Sequence, residues 1–364
     1  MAKEYTSLGL MSGTSGDGVD ASIIRSDGET KYKVILDKYF KYNQDVYKNI
    51  HDLKDKINNS KDLENLSKKL ESLEKDITLF HVKAADEVIK ESKSNIDFIG
   101  FHGQTIFHSA KEKISKQLGD GELLSRLTKK TVVYNFREND LKNGGEGAPL
   151  APVFHKLLVK QNKMNLPVTI LNIGGVANIT SINNNYEMIS QDIGPGNCLI
   201  DRWIKLNSDK KYDDKGSIAR SGKFEELYLS LFLDKYFNNP LSKKKSFDTN
   251  DFDNFITMPS DISLQDGAAN LTEITAEVIS RKIKKESIYV CGGGRKNKYL
   301  IERIENKIGS KIKLIDELGL NGDFIESQAF AYLAIRSYLK LPISFPETTG
   351  CSRTCTGGVI VEAK

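Results

Sequence analysis

The sequence predicts an α/β protein built in two halves, and three observations predict it. An apolar run at 8–12, a cluster of Gly, Ser and Thr, and a second apolar run to residue 24 are typical of strand, tight turn and strand. The same arrangement returns at 168–180, which indicates an internal repeat. A third glycine cluster at 292–294 follows a short apolar run and precedes a helical pattern. Each observation places a glycine turn at the end of a strand.

Length and composition limit the possible functions. With 364 residues the chain is long enough for two domains and a sizeable core. The net charge of +4, from 53 basic and 49 acidic residues, does not suggest a nucleic-acid partner. No apolar signal segment follows Met1 and no run is long enough to span a membrane, so we expect a cytoplasmic protein without a membrane partner. The cysteines show no zinc-site spacing and are expected to be reduced thiols.

The first turn, at 13–20, has the residue types of a phosphate site. Glycine permits positive φ and close approach of a ligand, and successive N–H groups in such a turn form a nest for anions. Asp17 and Asp20 add carboxylates within reach of a metal ion, directly or through water. On composition alone, the alternative is an ordinary glycine-rich hairpin turn.

A strand at 32–40 and a long helix follow the hairpin. In the helix, apolar residues from Leu63 to Val88 recur every three or four positions. We expect it to pack on its own sheet, with a coiled-coil surface as the alternative.

A buried strand at 96–101 then ends in His102-Gly-Gln-Thr105, and α/β sheets bind ligands at the carboxyl ends of strands. We predict a hydrogen-bonding role for His102, with a purely structural histidine as the alternative.

The first domain is predicted to end in a glycine-rich run. A strand at 131–136 is followed by Arg137 and then by 143–149, which opens a helix at 151–158. We place the domain boundary in the glycine-rich run.

The second half adds a carboxylate to the repeated pattern. Asp192 precedes a rigid Gly-Pro-Gly turn shortly after the second hairpin. We predict an irregular stretch at 201–261, helices at 270–285 and 323–338, and a strand at 357–361. Strand, three glycines and helix form a nucleotide-type junction because helix N-termini favour anions. The junction lacks the dinucleotide-binding glycine pattern.

These segments resemble the superfamily of actins, heat-shock chaperones and sugar kinases, and within it the anhydro-N-acetylmuramic acid kinase family. The motifs appear in the family's order over nearly the full length. The residues that carry the resemblance are Gly9–Ser15, Phe101–Thr105, Gln117–Asp120, Phe136–Arg137, Gly144–Leu150, Leu171–Gly175, Asp192–Asn197, Tyr212–Asp213, Val290–Gly294 and Gly322–Asp323.

The resemblance implies a two-lobed actin-like or sugar-kinase ATPase fold, each lobe a mixed sheet flanked by helices, with ATP in the cleft between them. One lobe would hold 1–145 and 340–364, and the other 146–339. ATP and Mg²⁺ are the implied cofactors. The implied ATP-binding residues are Gly13, Thr14, Ser15, Gly16, Asp17, Gly18, Val19 and Asp20 of the first hairpin, Gly174 and Gly175 of the second, and Gly292, Gly293 and Gly294 for the adenosine.

The resemblance also implies the reaction. ATP would phosphorylate O6 of 1,6-anhydro-N-acetylmuramic acid while water opens the anhydro bridge, giving N-acetylmuramic acid 6-phosphate for cell-wall recycling and amino-sugar catabolism. The implied base is Asp192, and the alternative for that residue is a turn-capping carboxylate. The residues implied to bind the sugar are His102, Gln104, Thr105, Asp120, Arg137 and Asn172. Family members are similar in being dimers, so a homodimer is expected.

The chain departs from the family's pattern at four places. Gly16 replaces a leucine, which should loosen the phosphate turn, so we expect Gly16→Leu to keep or improve ATP affinity. Asn135 and Glu146 stand where Asp and Gln are common, and 243–248 replaces a recognisable substrate-lobe segment. The last three departures bear on the sugar and not on the ATP chemistry.

Two other functions compete with this one. A kinase for another anhydrosugar, such as levoglucosan, would use the same machinery. A non-catalytic ATP-binding switch would use the lobes as chaperones and actins do. Asp192 argues against the switch, which has no use for a water-activating base beside a sugar site.

Overall fold

The structure is a computed structural model that describes residues 3–239, 246–252, 258–259, 261–284 and 286–363. The strands are β1 (Tyr5–Ser12), β2 (Gly18–Ser26), β3 (Tyr32–Lys41), β4 (Phe98–Ser109), β5 (Ile114–Leu118), β6 (Thr131–Tyr134), β7 (Val168–Ile173), β8 (Val176–Ile182), β9 (Met188–Pro195), β10 (Ser287–Cys291), β11 (Lys313–Leu314) and β12 (Val359–Val361). The α-helices are α1 (Gln44–Lys54), α2 (Ser60–Asn65), α3 (Ser67–Ser92), α4 (Gly121–Thr128), α5 (Glu138–Lys142), α6 (Pro152–Gln161), α7 (Cys198–Asn207), α8 (Ser217–Ser221), α9 (Glu226–Phe237), α10 (Leu264–Lys282), α11 (Lys298–Ile308), α12 (Ile325–Tyr338) and α13 (Pro346–Thr349). No helix in this described part of the chain has the length and apolarity that crossing a membrane requires.

The chain forms two compact units, each with its own sheet. The first unit is Met1–Lys163 with Phe324–Lys364, and the second is Met164–Asp323. The first sheet has the order β12-β6-β4-β1-β2-β3, with β5 paired to β4, and the second has the order β11-β10-β7-β8-β9. Both sheets contain parallel and antiparallel pairs. The predicted fold class, an α/β chain with a mixed sheet and helices in each half, is confirmed.

The unit boundaries lie at 163/164 and 323/324 in the structure, whereas the predicted boundaries lie at 145/146 and 339/340. Helices α6 and α12 both belong to the first unit. Phe154 of α6 packs against Tyr32 and Tyr332, with ring centroids 5.0 and 5.5 Å apart. Burial of these aromatic rings attaches both helices to the first sheet.

Helix α3 packs on the first sheet, as predicted, through buried residues that include Leu73 and Ile77. Helix α12 contacts the same sheet at two glycines. A Cβ atom on Gly9 would lie 1.9 Å from Ser327 O, and one on Gly100 would lie 2.2 Å from Phe330 O. Only glycine permits this close approach of the helix to the strands.

The prediction of an irregular stretch at 201–261 is wrong. The stretch 201–261 contains most of α7 and all of α8 and α9. Helix α9 buries Phe232 but exposes Leu227 and Leu231, so its apolar residues do not mark a single face. Residues 243–245, the first part of the departing segment 243–248, lie outside the described residues.

Candidate functional site

The first glycine turn joins β1 to β2, and its backbone is tightly held. The Gly16 N–H donates to Gly13 O at 3.1 Å, and Gly16 has a φ of +59°. A Cβ atom on Gly16 would lie 3.0 Å from Ile50 Cγ2. The expectation that Gly16→Leu keeps or improves ATP affinity is therefore revised, because an L-residue is strained at this φ and the added side chain would meet Ile50.

The hydroxyl and carboxylate groups of this turn are accessible. Ser15 and Asp17 are exposed, and Ser15 Oγ donates to Asp17 Oδ1 at 2.6 Å. Thr14 is also exposed, whereas Val19 is buried in the core beneath the turn. Gly18 has no room for a side chain, since a Cβ atom would lie 2.3 Å from Phe40 O.

His102 and Arg137 form a polar pair in the first unit. The predicted strand end at 101 is wrong: β4 continues to Ser109, so His102 lies inside the strand. His102 Nδ1 lies 2.8 Å from Gly103 O, and Nε2 lies 3.0 Å from Arg137 Nη2. Burial lowers the pKa of His102 well below its usual value, and the Arg137 charge acts in the same direction. His102 is therefore neutral, with Nδ1–H donating to Gly103 and Nε2 accepting from Arg137.

Glu326, in the first turn of α12, belongs to the same cluster and was missed in the sequence. Burial raises its pKa, and the Arg137 guanidinium acts in the opposite direction. The only sequence signal was a carboxylate early in an otherwise apolar, alanine-rich helix. Its proximity to Arg137 depends on a contact between distant parts of the chain.

The other sugar residues predicted in the first unit have structural partners. Asp120 is the N-cap of α4, where its Oδ1 accepts from Leu123 N at 2.9 Å. Thr105 Oγ1 accepts from Gln117 Nε2 at 3.2 Å. Gln104 is completely buried and bonded within the protein.

A cavity of about 520 Å³ lies beside Asp120 in the first unit. Its lining residues are Glu74, Ser115, Lys116, Gln117, Gly119, Asp120, Glu122, Tyr134, Asn135 and Glu138. Asn135, one of the departures from the family's pattern, lines it with a φ of +53°. Glu146, another departure, does not line this cavity; its backbone N–H donates to Thr349 O at 2.9 Å.

The second glycine turn joins β7 to β8 in the second unit. Gly174 N donates to Val176 O at 3.1 Å, which closes the hairpin. The turn is held against the following Gly-Pro-Gly segment, because Gly196 N donates to Gly175 O at 2.9 Å. Asn172, at the end of β7, is 8% exposed and lies beside Cys291.

Asp192 lies on β9 at a bulge in the β8–β9 pairing. The register shifts between Ala177 and Asn178, and Asn178 pairs with Asp192. Bulges re-aim side chains and are over-represented beside active sites. Asp192 is 9% exposed, and its Oδ2 accepts from Phe247 N at 2.8 Å. Phe247 belongs to the described part of the departing segment 243–248, which therefore orients this carboxylate.

The third glycine cluster is held in place by hydrogen bonds from Arg295, a residue whose role was not predicted from the sequence. Arg295 is buried and donates from Nη1 to Gly292 O at 3.0 Å. It also donates to both oxygens of Asp316, at 2.7 and 3.0 Å, and to Asp323 Oδ1 at 2.6 Å. The hydrogen bond from Arg295 lowers the pKa of Asp316. The guanidinium thus links the glycine junction to two carboxylates.

Each of the three clusters has one glycine with space beside it. A Cβ atom on Gly293 would meet nothing within 4 Å, and on Gly13 or Gly174 it would find its nearest atom at 3.9 or 3.5 Å. By contrast, Gly292 and Gly294 are packed, with Asn172 Oδ1 at 2.3 Å and Ile173 Cγ2 at 2.2 Å. These three positions fit the close approach of a phosphate or nucleotide.

A preformed metal cage is absent from the described residues, where no three His, Cys, Asp or Glu side chains could hold a metal ion together. Mg²⁺ needs no such cage, since it usually binds through one or two carboxylates, water and substrate phosphates. The exposed Asp17 carboxylate at the first turn fits that mode.

Comparison with known proteins agrees with the sequence motifs. The chain is 53% identical over 375 aligned residues to the anhydro-N-acetylmuramic acid kinase of Pelagibacter ubique, with 100% of both chains covered. It is 36% identical to the enzyme of the same name from Methylobacterium nodulans, with 97% of this chain and 98% of the relative covered. Component A of the Acidaminococcus fermentans (R)-2-hydroxyglutaryl-CoA dehydratase is 13% identical, with a TM-score of 0.47 over 92% of this chain and 100% of that one, too distant to support an inference.

The family assignment rests on the first of these relatives and on a match along the whole chain. The family model described as anhydro-N-acetylmuramic acid kinase matches residues 5–363. The chain is therefore a kinase and belongs to the anhydro-N-acetylmuramic acid kinase family.

Proposed function

We propose that the chain phosphorylates O6 of 1,6-anhydro-N-acetylmuramic acid with ATP and opens the anhydro ring in the same reaction. A water molecule attacks C1 and the C1–O6 bond breaks. O6 then takes the γ-phosphoryl group from ATP, while Asp192 accepts a proton from the water. The products are N-acetylmuramic acid 6-phosphate and ADP, which places the reaction in cell-wall recycling.

The position of Asp192 is the observation that carries this proposal. The carboxylate is partly desolvated, sits at a strand bulge and is oriented by the Phe247 N–H. A fixed carboxylate beside the second glycine hairpin has the chemistry of a general base, which typically contributes about 10²–10⁴-fold to a rate. One donor to this carboxylate, the Phe247 N–H, lies 55 positions along the chain and outside the turn that Asp192 precedes.

The three open glycines support the nucleotide side of the proposal. Phosphates approach the backbone at Gly13 and Gly174, and the adenosine lies along Gly293. Asp17 and the ATP phosphates would hold Mg²⁺, which would supply positive charge against the phosphates during phosphoryl transfer. The protein contributes positioning through its N–H groups and needs no covalent intermediate.

His102, Arg137 and Asn172 remain the proposed sugar contacts. Arg137 offers a cation for the carboxylate of the lactyl group, and neutral His102 holds the guanidinium in place. Asp120 and Gln104 are better explained by their bonds within the protein. The homodimer and the cytoplasmic location stay predictions.

The first experiment measures ADP release with 1,6-anhydro-N-acetylmuramic acid and with levoglucosan. We expect turnover with the amino sugar and little with levoglucosan, which has no carboxylate to meet Arg137. Turnover with levoglucosan alone would instead identify a kinase for a simpler anhydrosugar.

The second experiment removes the proposed base. Asp192→Asn should lower kcat by about 10²–10⁴-fold and leave ATP affinity nearly unchanged. Asp209→Asn, which makes the same charge change at an exposed position of the second unit, should leave both unchanged. Normal turnover in Asp192→Asn would show that another group activates the water.

A further inference from the structure

Gln104 has no exposed surface, and its side-chain amide is completely engaged within the first unit. Its Nε2 donates to Gly13 O at 3.0 Å and to Thr105 O at 3.2 Å. Its Oε1 lies 2.6 Å from Ser12 Oγ, which donates to it. A carboxamide has two N–H donors, and both are used here. No donor of this amide is left for a sugar hydroxyl.

The bonds of Gln104 join two segments that are distant in sequence. Gly13 begins the first glycine turn, and Thr105 lies on β4 together with His102. Strands β1 and β4 are parallel neighbours, with Ser12 paired to Gln104 at the end of their ladder. The Gln104 amide therefore attaches the glycine turn to β4 just beyond the last residue pair of the β1–β4 ladder.

A second layer holds the amide itself. Tyr42 OH donates to Ser12 Oγ at 3.1 Å, and Ser12 Oγ also lies 2.9 Å from Gly18 O at the far side of the turn. Tyr42 and Ser12 are buried. Buried hydrogen bonds of this kind fix one geometry, because a group that lost its partner would remain desolvated.

We propose that Gln104 is a positioning residue that fixes the phosphate turn relative to β4, and that it does not contact the sugar. The proposal rests on the proposed function, in which the turn at 13–20 binds ATP phosphates and His102 on β4 faces the sugar. Alignment of two reacting groups is sensitive to small displacements, so a shared brace serves phosphoryl transfer directly.

The test measures binding of the non-hydrolysable analogue AMPPNP by calorimetry in the absence of any sugar. Gln104→Leu removes both donors at similar volume and should weaken AMPPNP binding by about tenfold, the loss expected for one buried hydrogen bond. Gln104→Glu keeps the acceptor but sets a carboxylate against Gly13 O, and should weaken binding at least as much. A residue that contacts only the sugar would leave AMPPNP binding unchanged, and that result would overturn the proposal.

Two controls separate positioning from a general loss of structure. Gln117→Leu removes an amide that bonds to Thr105 but not to the turn, and AMPPNP binding should stay within about twofold of the parent value. Ser12→Ala should weaken binding and combine less than additively with Gln104→Leu, because the two side chains act through one bond. Full additivity of the two losses in binding would contradict the positioning role of Gln104. If Gln104→Leu failed to fold, Gln104→Glu would take its place in the same comparison.

A failure of the proposed function would give a different result in the same AMPPNP binding experiment. If the parent protein bound no AMPPNP, the phosphate role of the turn would be wrong. If the parent bound AMPPNP and both Gln104 variants bound it equally well, only the brace would be wrong.

Discussion

Gly16 shows how one backbone angle decides the effect of a substitution. Its φ of +59° lies in the left-handed region, where L-residues cost about 1–2 kcal/mol. The chain has glycine where the family commonly has leucine, and the turn adopts a conformation that suits glycine. A sequence comparison alone gave the opposite expectation, because it carries no information on φ.

We therefore predict that Gly16→Leu raises the KM for ATP several-fold. The added side chain meets Ile50 and the edge of the Gln104 amide, so the turn must shift. Gly309→Leu is the matched control: its φ is +66° but nothing lies within 4 Å of its Cβ position, at the end of α11. Steady-state kinetics should show an unchanged KM for the control, and an unchanged KM for Gly16→Leu would mean that the turn adapts freely.

Residue roles could be predicted only where a local motif carried them. The glycine turns and Asp192 stand in short motifs that are visible in the sequence. Arg295 and Glu326 do not, because their charged partners lie 21 or more positions away in the sequence. Asp120 and Gln104 were predicted to bind the sugar, and in the structure their side chains bond to backbone groups within the protein.

At the scale of elements, the glycine junction after β10 is a braced unit. Arg295 connects it to Asp316, in the short 3₁₀ turn Ile315–Leu318, and to Asp323. Gly292 N also donates to Gly322 O at 3.0 Å. A planar guanidinium satisfies a carboxylate with two parallel bonds, which lysine cannot do.

We predict that Arg295→Lys raises the KM for ATP by about tenfold, because the junction proposed to receive the adenosine loses the hydrogen bonds that hold it in place. The kcat at saturating ATP should change much less. Arg281→Lys, in a half-exposed pair with Glu277 on α10, is the control and should leave the KM for ATP unchanged. A kcat effect without a KM effect would contradict the assignment of this junction to adenosine.

Elements with a clear period were predicted well, and elements without one were not. Both hairpins and α3 follow from alternation and from three-or-four spacing. Strand β4 was cut short because His102-Gly-Gln-Thr105 is polar, yet these residues are buried, and Gly103 and Gln104 continue the ladder with β1. Helix α9 was missed because its exposed leucines obscure the period.

At the scale of the whole molecule, the first unit contains three buried histidines. Burial lowers the pKa of His81 and His155 to about 4, and that of His102 well below its usual value. In the unfolded chain these groups have pKa values near 6.5. The unfolded state therefore binds more protons between pH 6.5 and 4, and stability falls as pH falls through that window.

We predict that the free energy of unfolding decreases between pH 7 and pH 5 by on the order of 2 kcal/mol for each of His81 and His155. Glu326 and Asp37, whose pKa values are raised by burial, act in the opposite direction. Urea titrations at the two pH values test this, and His81→Phe should make the change smaller. The same change between pH 7 and pH 5 in the parent and in His81→Phe would contradict neutral burial of this ring.

The central claim is that phosphorylation of O6 and addition of water at C1 occur in one reaction at Asp192. The most direct measurement is mass spectrometry of the product made in ¹⁸O-labelled water. We predict a product with one phosphate and one solvent oxygen, located at C1. A phosphorylated product that retains the anhydro ring, or one without the label, would contradict it.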